Sequence, residues 1–446
     1  MIANQPFQIF CGQGGSAQFS TNDATPANIG HVTVDGIKLC RSLVKIKFSS
    51  IISLTSTDDE PEVILTFRLF RTCENEEPIE LDNWQYEIFF IDDVFEVIEL
   101  TKSFTFNYCD RINSSRLCEY FVEVSVDNIV RASVSIDNVQ IQAIAHPTLI
   151  SCGEGMSAFF QGNTTGQPLI PDPSLAELGQ VMVNTSGLRK PVVEFEFSSI
   201  INLVATDGDE KASLNFQLFR ACDDIEPVLV NNWLYEVYTI NDQGFGNIRL
   251  STAYSFSFCE CLSGLDCCDY FIKVSVGGLQ FIDSLSITDV HIAALVSESK
   301  KINKISQLEC GQGRSAAFVN TDVPAINVGH VQIDTNALCK PKVSIEFSSV
   351  VSYLASQGAA QGRLRFTLFR VCDKGEAILL NNWNFELKRI DDVQEDTKFI
   401  DTFDFNFCDD PGCIGCCDYF VEVSIENLVT AIILVDNVHI TALAGA

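Results

Sequence analysis

The stretch CEYFVEVSV, residues 118–126, decides the fold of this chain. Polar and apolar side chains alternate along it, and aromatic and β-branched residues dominate, which is the pattern of a half-buried β-strand. The stretch recurs as CDYFIKVSV at 268–276 and as CDYFVEVSI at 417–425. One strand repeated at a spacing of about 150 residues predicts a β-protein built from three copies of one domain.

Other motifs repeat at the same spacing and cover nearly the whole chain. The segments LFRTC, LFRAC and LFRVC recur in step, and so do FSS and the opening motif CGQGGSA. Three tryptophans lie in DNW, NNW and NNW, at Trp84, Trp233 and Trp383. We therefore expect an N-terminal arm at 1–10, repeat 1 at 11–147, repeat 2 at 148–297 and repeat 3 at 298–446.

Each repeat alternates short period-two segments with turn clusters such as STDDEPE. We find no helical periodicity sustained over three turns, and the spacing suggests about eight strands in each repeat. This pattern predicts an all-β protein of three tandem antiparallel β-sandwich domains, jelly-roll-like in topology.

The amino-acid composition and net charge of the chain argue against several classes of function. Of 446 residues, 46% are hydrophobic, which is enough to fill three cores, and no apolar run reaches the roughly 18–20 residues of a membrane helix. The formal charge of −30 repels phosphates and anionic lipids, so we expect no nucleic acid and no membrane as partners. No segment matches a calcium-binding loop with alternating acids and a central glycine.

All 18 cysteines are candidates for disulfides or cross-links. The repeats contain five, six and seven of them, so at least one bond crosses between repeats or two thiols remain free. If successive strands alternate in direction, the cysteines of repeat 1 gather at one pole, beside the next repeat. The candidates are Cys11, Cys40, Cys73, Cys109, Cys118, Cys152, Cys222, Cys259, Cys261, Cys267, Cys268, Cys310, Cys339, Cys372, Cys408, Cys413, Cys416 and Cys417.

A thiolate metal site is the alternative interpretation of these cysteines. CIGCC at 413–417 offers a CxxC pair, but the matching segment of repeat 1 keeps only Cys109 and Cys118. A disulfide framework tolerates the loss of a pair between copies better than a ligand set does. We therefore favour disulfides and expect no metal and no cofactor, with metal storage or redox chemistry as the less favoured reading.

No segment carries a recognisable active site, and we expect no enzyme activity and no catalytic residues. CGQGGSA resembles a phosphate-binding loop, but no GK[ST] follows, and the glycines are better explained by close backbone approach. Two histidine positions carry glutamine in one repeat, at Gln180 and Gln140, which does not suit a general base. The tryptophans fit a core better than a sugar-stacking surface.

The segment LCKPKVSIEFSS (338–349), the CGxG start and the pattern FxFC…CC(D)Y resemble a family of cysteine-rich β-domains from spore-forming Firmicutes. Repeat 1 departs from it by lacking the doubled cysteine before Tyr120, and repeat 2 has Arg189 where Cys40 and Cys339 stand. The resemblance implies the fold but no biochemical activity. In architecture the chain is also similar to endospore appendage fibre subunits, which are jelly rolls that stack by strand augmentation and cross-link through N-terminal cysteines.

This similarity leads to a function hypothesis. The arm MIANQPFQIF takes the place of the linkers HPTLIS and SESKKINKISQLE, so Phe7, Ile9 and Phe10 would dock on a neighbouring molecule as an added strand. The partner would be another copy, and the product a head-to-tail homopolymer, an extracellular or spore-surface filament. The start lacks a secretory signal pattern, so we expect assembly in the mother cell and exposure on lysis.

The alternative is a monomeric surface adhesin or lectin-like protein. Repeat 2 has a longer first loop than the others, QGNTTGQPLIPDPSLAELG at 161–179, where a carbohydrate site would lie.

Overall fold

The computed structural model describes most of the chain, and its regular elements in the described ranges are all strands. The described residues are 7–35, 43–56, 61–74, 76–91, 97–112, 116–146, 149–163, 175–186, 188, 190–205, 210–222, 226–239, 247–262, 267–298, 307–336, 338, 341–356, 360–373, 375–390, 396–411 and 415–445.

Within the described ranges each repeat forms ten strands, two more than the sequence suggests, because one short strand ends at the first cysteine and two more follow it. Repeat 1 contains β1 Gln8–Cys11, β2 Gln13–Gly14, β3 Ala17–Phe19, β4 Ala27–Asp35, β5 Leu43–Ser56, β6 Glu62–Cys73, β7 Ile79–Ile91, β8 Val97–Arg111, β9 Leu117–Val130 and β10 Ala132–His146. Repeat 2 contains β11 Ile150–Cys152, β12 Glu154–Gly155, β13 Ala158–Asn163, β14 Ala176–Asn184, β15 Pro191–Ala205, β16 Lys211–Cys222, β17 Val228–Thr239, β18 Asn247–Cys261, β19 Cys267–Gln280 and β20 Ile282–Glu298. Repeat 3 contains β21 Gln307–Cys310, β22 Gln312–Gly313, β23 Ala316–Phe318, β24 Ile326–Asp334, β25 Lys342–Ser356, β26 Ala360–Cys372, β27 Ile378–Ile390, β28 Asp396–Asp409, β29 Cys416–Val429 and β30 Ala431–Gly445.

The protein is all-β, with three tandem antiparallel β-sandwiches. Repeat 1 has two layers, which we call half-sheets because each continues into a strand of another repeat. The inner half-sheet, which faces the other repeats, has the order β3-β10-β5-β8, with β1 also paired to β10. The outer half-sheet has the order β4-β9-β6-β7, with β2 paired to β4. These are the two four-stranded layers of a jelly roll. Repeats 2 and 3 have the same order in the equivalent strands.

The half-sheets of different repeats join edge to edge. Strand β8 of repeat 1 pairs with β27 of repeat 3, β18 of repeat 2 with β7 of repeat 1, and β28 of repeat 3 with β17 of repeat 2. The result is three ten-stranded sheets, each with an inner half from one repeat and an outer half from another. The repeats therefore close into a ring with approximate threefold symmetry, whereas the sequence suggested domains in series.

Aromatic side chains fill each sandwich between its two layers. Trp84 is 1% exposed and stacks on Phe106 with ring centroids 3.7 Å apart, and Phe106 stacks on Phe48 at 4.8 Å. Burying such side chains contributes roughly 1.5–3 kcal/mol each. The interpretation of the tryptophans as core residues is confirmed at all three positions, since Trp233 and Trp383 are also 1% exposed.

The glycines of the opening motif lie where two backbones meet, as the sequence predicts. A Cβ atom on Gly14 would lie 1.8 Å from the carbonyl oxygen of Val139. The equivalents Gly155 and Gly313 show the same approach, at 1.9 and 1.8 Å from the oxygens of Val290 and Val438. Any larger residue there would displace strand β10, β20 or β30.

The described part of the N-terminal arm packs inside its own chain. Strand β1 pairs with β10 in register Ile9↔Ile144, and Phe7 and Ile9 are 0% and 2% exposed, while Phe10 is half-buried. The hypothesis of an arm that docks on a neighbouring molecule therefore needs correction. The free edge of β10 lies next to the arm in the same chain, so pairing there is favoured over pairing with a second molecule.

Candidate functional site

The middle of the ring is a buried polar axis, formed by the inner half-sheets of all three repeats. Strand β5 is buried on both faces: Phe48 points into its own sandwich, and Lys45 and Lys47 point the other way because side chains alternate along a strand. The equivalent positions are Glu194 and Glu196 in β15, and Ser344 and Glu346 in β25. We call these six residues, together with the serine side chains described below that bond the repeats along the same axis, the axial cluster.

The lysines of repeat 1 are neutralised by the glutamates of the other repeats. Lys47 Nζ lies 2.8 Å from Glu196 Oε1 and 2.7 Å from Glu346 Oε2, and Lys45 also pairs with Glu196. Lys45 and Lys47 are 0% and 3% exposed. Buried charges of this kind are tolerated only when they are paired, so the ion pairs connect the three repeats.

Burial and pairing shift the ionisation of the axial cluster. Burial, with the like charge of Lys47, lowers the pKa of Lys45 well below its ordinary value. Burial opposes the charged form of Lys47 as well, but Glu346 and Glu194 outweigh it and raise the pKa. Burial raises the pKa of Glu194, whereas the two lysines outweigh burial at Glu346 and lower its pKa. The shifts therefore favour the charged forms of both Lys47 and Glu346.

Next to the charged side chains along the axis lies a layer of serine side chains, whose hydroxyl groups form hydrogen bonds between the repeats. Strands β8, β18 and β28 pair with the neighbouring repeat over only four or five residues, so other N–H groups of these strands face the axis. In each case one of these N–H groups donates a hydrogen bond to a serine of the FSS motif in the next repeat. The bonds run from Asn107 N to Ser198 Oγ (3.3 Å), from Ser257 N to Ser348 Oγ (3.3 Å) and from Asn406 N to Ser49 Oγ (3.2 Å).

Six disulfides link twelve of the candidate cysteines. Three join different repeats: Cys11–Cys408, Cys109–Cys152 and Cys259–Cys310. Three lie within a repeat, between the end of one outer strand and the start of another: Cys73–Cys118, Cys222–Cys268 and Cys372–Cys417. The ring of repeats is therefore also a covalent ring, and the disulfides indicate an oxidising, extracellular environment.

The remaining cysteines are placed differently. Cys40, Cys339 and Cys413 lie outside the described residues. Cys261 is exposed and free, and Cys267 and Cys416 are half-buried. The part of the chain that the structure describes contains no helix that could span a membrane.

An apolar plug lies at the disulfide pole of the axis. It consists of one pair of aliphatic side chains from each repeat, together with Phe7 of the arm and Val192. Four of the six inter-repeat cysteines pack against it: Cys152, Cys259, Cys310 and Cys408. Phe7 also contacts the ring of His146 at a centroid distance of 4.9 Å. The pairs are Ile9 and Ile144, Ile150 and Leu295, and Leu308 and Leu443.

The NNW motif lies at the junction between repeats, beside a histidine of the neighbouring repeat. Asn231 Nδ2 donates a hydrogen bond to His439 Nε2 at 3.0 Å, and the ring of His439 lies 6.2 Å from that of Trp233. Burial lowers the pKa of His439 to about 4. His291 occupies the equivalent place, 2.9 Å from Asp82, and Gln140 takes it in repeat 1.

The unfolded chain is therefore expected to bind a proton at His439 at higher pH than the folded chain does. Since an unperturbed histidine has a pKa near 6.5, the free energy of unfolding should fall by roughly 2–3 kcal/mol as pH drops from about 6.5 to about 4. His439→Gln, the residue that repeat 1 carries, should flatten this part of the profile. Denaturant unfolding at several pH values measures it, and an unchanged slope in the variant would contradict the assignment.

A comparison with family models identifies the repeated unit. A model described as a domain of unknown function, DUF4489, matches residues 7–146, 146–297 and 305–445. The chain belongs to the DUF4489 family. The DUF4489 units follow one another in tandem, and in this chain three of them form one closed ring. Curated proteins gave no match.

Solved structures similar to this DUF4489 chain include carbohydrate-binding and viral proteins, all at low similarity. The tandem CBM22-1–CBM22-2 domain of Xyn10C from Paenibacillus barcinonensis is 12% identical, with 65% of this chain and 97% of that chain covered and a TM-score of 0.18. A triple jelly-roll structure from the turret of an archaeal virus is 8% identical, covering 98% and 91%, with a TM-score of 0.16. A structure of infectious bursal disease virus, Gx strain, is 10% identical, covering 66% and 79%, with a TM-score of 0.12.

Sequence reasoning missed the axial cluster. The alternation in LVKIKFSS looks like an ordinary strand with one solvated face, so Lys45 and Lys47 do not stand out. The signal was the exchange of charge at equivalent positions, Lys in repeat 1 and Glu in repeat 2, within otherwise similar apolar strands. Such an exchange indicates that the repeats contact one another there.

Proposed function

We propose that this DUF4489 protein is a non-catalytic structural subunit of an extracellular or spore-surface assembly, folded as a preassembled trimer of jelly rolls. The observation that carries the proposal is the covalent ring: three disulfides join the repeats, and three sheets run across their boundaries. Such a unit is suited to mechanical and chemical durability.

Contact between copies would use a repeated apolar surface at the disulfide pole. The first residue of β7, β17 and β27 is aliphatic and about half exposed in every repeat: Ile79 49%, Val228 48% and Ile378 50%. Isolated exposed aliphatic residues are common, but the same position in three repeats indicates a retained feature. A contact from this pole to the opposite pole of another copy is heterologous, so it does not close and gives a filament.

Negative-stain electron microscopy and native mass determination test this proposal on the full chain. We expect compact three-lobed particles that associate into filaments as concentration rises. The triple variant Ile79→Ser, Val228→Ser, Ile378→Ser should keep its fold by circular dichroism and lose filaments, while Met182→Ser, which removes a 65% exposed apolar residue elsewhere, should keep them. Single particles at every concentration, oxidised or reduced, would overturn the filament.

A surface adhesin is the second candidate, and an exposed aromatic residue favours it. Phe159 in β13 is 76% exposed, where repeats 1 and 3 have Gln18 and Ala317, and β13 leads into the long loop of repeat 2. Most of that loop, 164–174, lies outside the described residues. An exposed aromatic face is a common stacking surface for ligands.

A glycan array probed with the wild-type chain and with Phe159→Ala separates the two functions. An adhesin should bind a defined glycan set that the variant loses, whereas a purely structural subunit should bind none. Phe160→Ala is unsuitable as a control because that side chain packs against the core, so Val319→Ala, 60% exposed in repeat 3, is the matched change.

A further inference from the structure

The axial cluster borders a partly open cavity of about 40 Å³ where the three inner half-sheets meet. Its lining is largely apolar, with phenylalanines of all three cores, but it also contains hydroxyl, amide and carboxyl groups of all three repeats, among them Asn107, Ser257 and Ser348. A space of this size holds an ion or a few water molecules, since one water needs roughly 10–15 Å³ by this measure.

Two oxygen atoms of repeat 3 line this cavity without a protein hydrogen-bond partner. They are Oδ1 of Asp404 and Oδ1 of Asn406, which lie two residues apart on the same face of β28, and their side chains are 8% and 5% exposed. The second oxygen of Asp404 accepts a hydrogen bond from Ser255 at 2.8 Å. Buried oxygens left unpaired are costly, so both indicate a ligand that accepts their lone pairs.

The net charge of the residues that line the cavity also favours binding of a cation. Lys47 is the one cation among the lining residues, against the carboxyl groups of Glu196, Glu346 and Asp404, which gives a formal charge of −2 when all three are ionised. Burial raises the pKa of Asp404 well above its ordinary value, so without a bound cation this carboxyl group holds a proton. Burial disfavours the charged forms of the neighbouring Lys45 and Glu194, so neither offsets this charge. The carboxylate oxygens of Glu194, Glu196 and Glu346 lie within 4.8 Å of one another, and Lys47 already bonds two of these groups, Glu196 and Glu346. A buried net charge of this size is strongly unfavourable without compensation.

We propose that the axial cavity binds one Ca²⁺ ion, held by oxygen atoms of Asp404, Asn406 and Glu346 and by neighbouring hydroxyls. The candidate ligands are all oxygens, which suits a hard cation. Ca²⁺ accepts six to eight protein oxygens in variable geometry, whereas Mg²⁺ requires near-octahedral geometry and keeps its waters. The ion would connect the repeats at the centre of the ring, and this proposal stands independently of filament or adhesin function.

Metal analysis of refolded protein tests the site. The full chain, with its disulfides intact, is unfolded in denaturant with a chelator and refolded with either CaCl₂ or MgCl₂, then passed through a chelating column to remove surface ions. We expect one Ca²⁺ per chain by elemental mass spectrometry and a melting temperature about 3–5 °C higher than after refolding with Mg²⁺.

Asp404→Asn tests the ligand assignment, because the amide keeps the shape and removes the charge. This variant should refold, retain no calcium and lose the difference in melting temperature between the two ions. Asp418→Asn, a change of a carboxylate outside the cavity, should retain both. The absence of retained calcium in the wild-type chain, or equal stabilisation by Ca²⁺ and Mg²⁺, would overturn the proposal, and would leave a cavity filled by water and a protonated Asp404.

Discussion

Replacing both Lys45 and Lys47 by glutamate is expected to lower the free energy of unfolding by at least 3–5 kcal/mol, about the effect of breaking a buried ion pair. The double variant would place five carboxylates on the buried axis with no cation of the cluster to neutralise them. The loss should exceed that of an ordinary surface charge reversal, because water cannot reach these groups. Guanidinium unfolding followed by tryptophan fluorescence measures it.

A charge exchange provides the decisive control. Adding Glu194→Lys and Glu196→Lys to the double variant restores opposite charges between the repeats and should recover more than half of the lost stability. Arg116→Glu, in an ion pair whose side chains are half exposed, should cost less than about 1 kcal/mol. If the four-residue exchange is no more stable than the double variant, pairing between repeats does not stabilise the axis.

Removing the disulfide that closes the ring should cause the second large loss of stability. The pair Cys11→Ser, Cys408→Ser should lower the free energy of unfolding by about 2–5 kcal/mol, since this bond joins residues 397 positions apart. The disulfide Cys73–Cys118 spans only 45 positions, so its removal should cost less. Denaturant unfolding of the two variants, side by side, gives the comparison.

The two disulfides that connect repeat 3 to repeats 1 and 2 should hold the chain together after cleavage of the linker. Trypsin can cut the basic linker SESKKINKISQLE, and the wild-type chain should then remain one species on a non-reducing gel. The cleaved Cys11→Ser, Cys408→Ser variant should also stay joined, through Cys259–Cys310, but not when that bond is removed as well. Separation of the cleaved wild-type chain without reductant would contradict the covalent ring.

Sequence alone predicted the elements of the fold, but not how the repeats join. Alternation in segments such as YFVEVSV identifies strands because the period of two reflects burial of one face, which is a local property. Pairing of β8 with β27 is a contact between distant segments, and no local pattern encodes which edge meets which. Domains in series were therefore the natural expectation.

The arm illustrates the same limit. Phe7 and Ile9 alternate as a strand does, and the sequence correctly suggests that they pair with a sheet edge. It does not say whether that edge belongs to the same molecule. The structure places them on β10, in the apolar plug beneath the inter-repeat disulfides. A structural subunit built this way needs a different surface for contact between copies.

The central claim is that one chain closes three DUF4489 repeats into a covalent ring, and disulfide mapping tests it most directly. Purified protein is alkylated, digested without reduction and analysed by mass spectrometry. The account predicts the linked peptides Cys11–Cys408, Cys109–Cys152 and Cys259–Cys310 within single molecules. Cys11 linked to a cysteine of its own repeat, or to a second molecule, would contradict it.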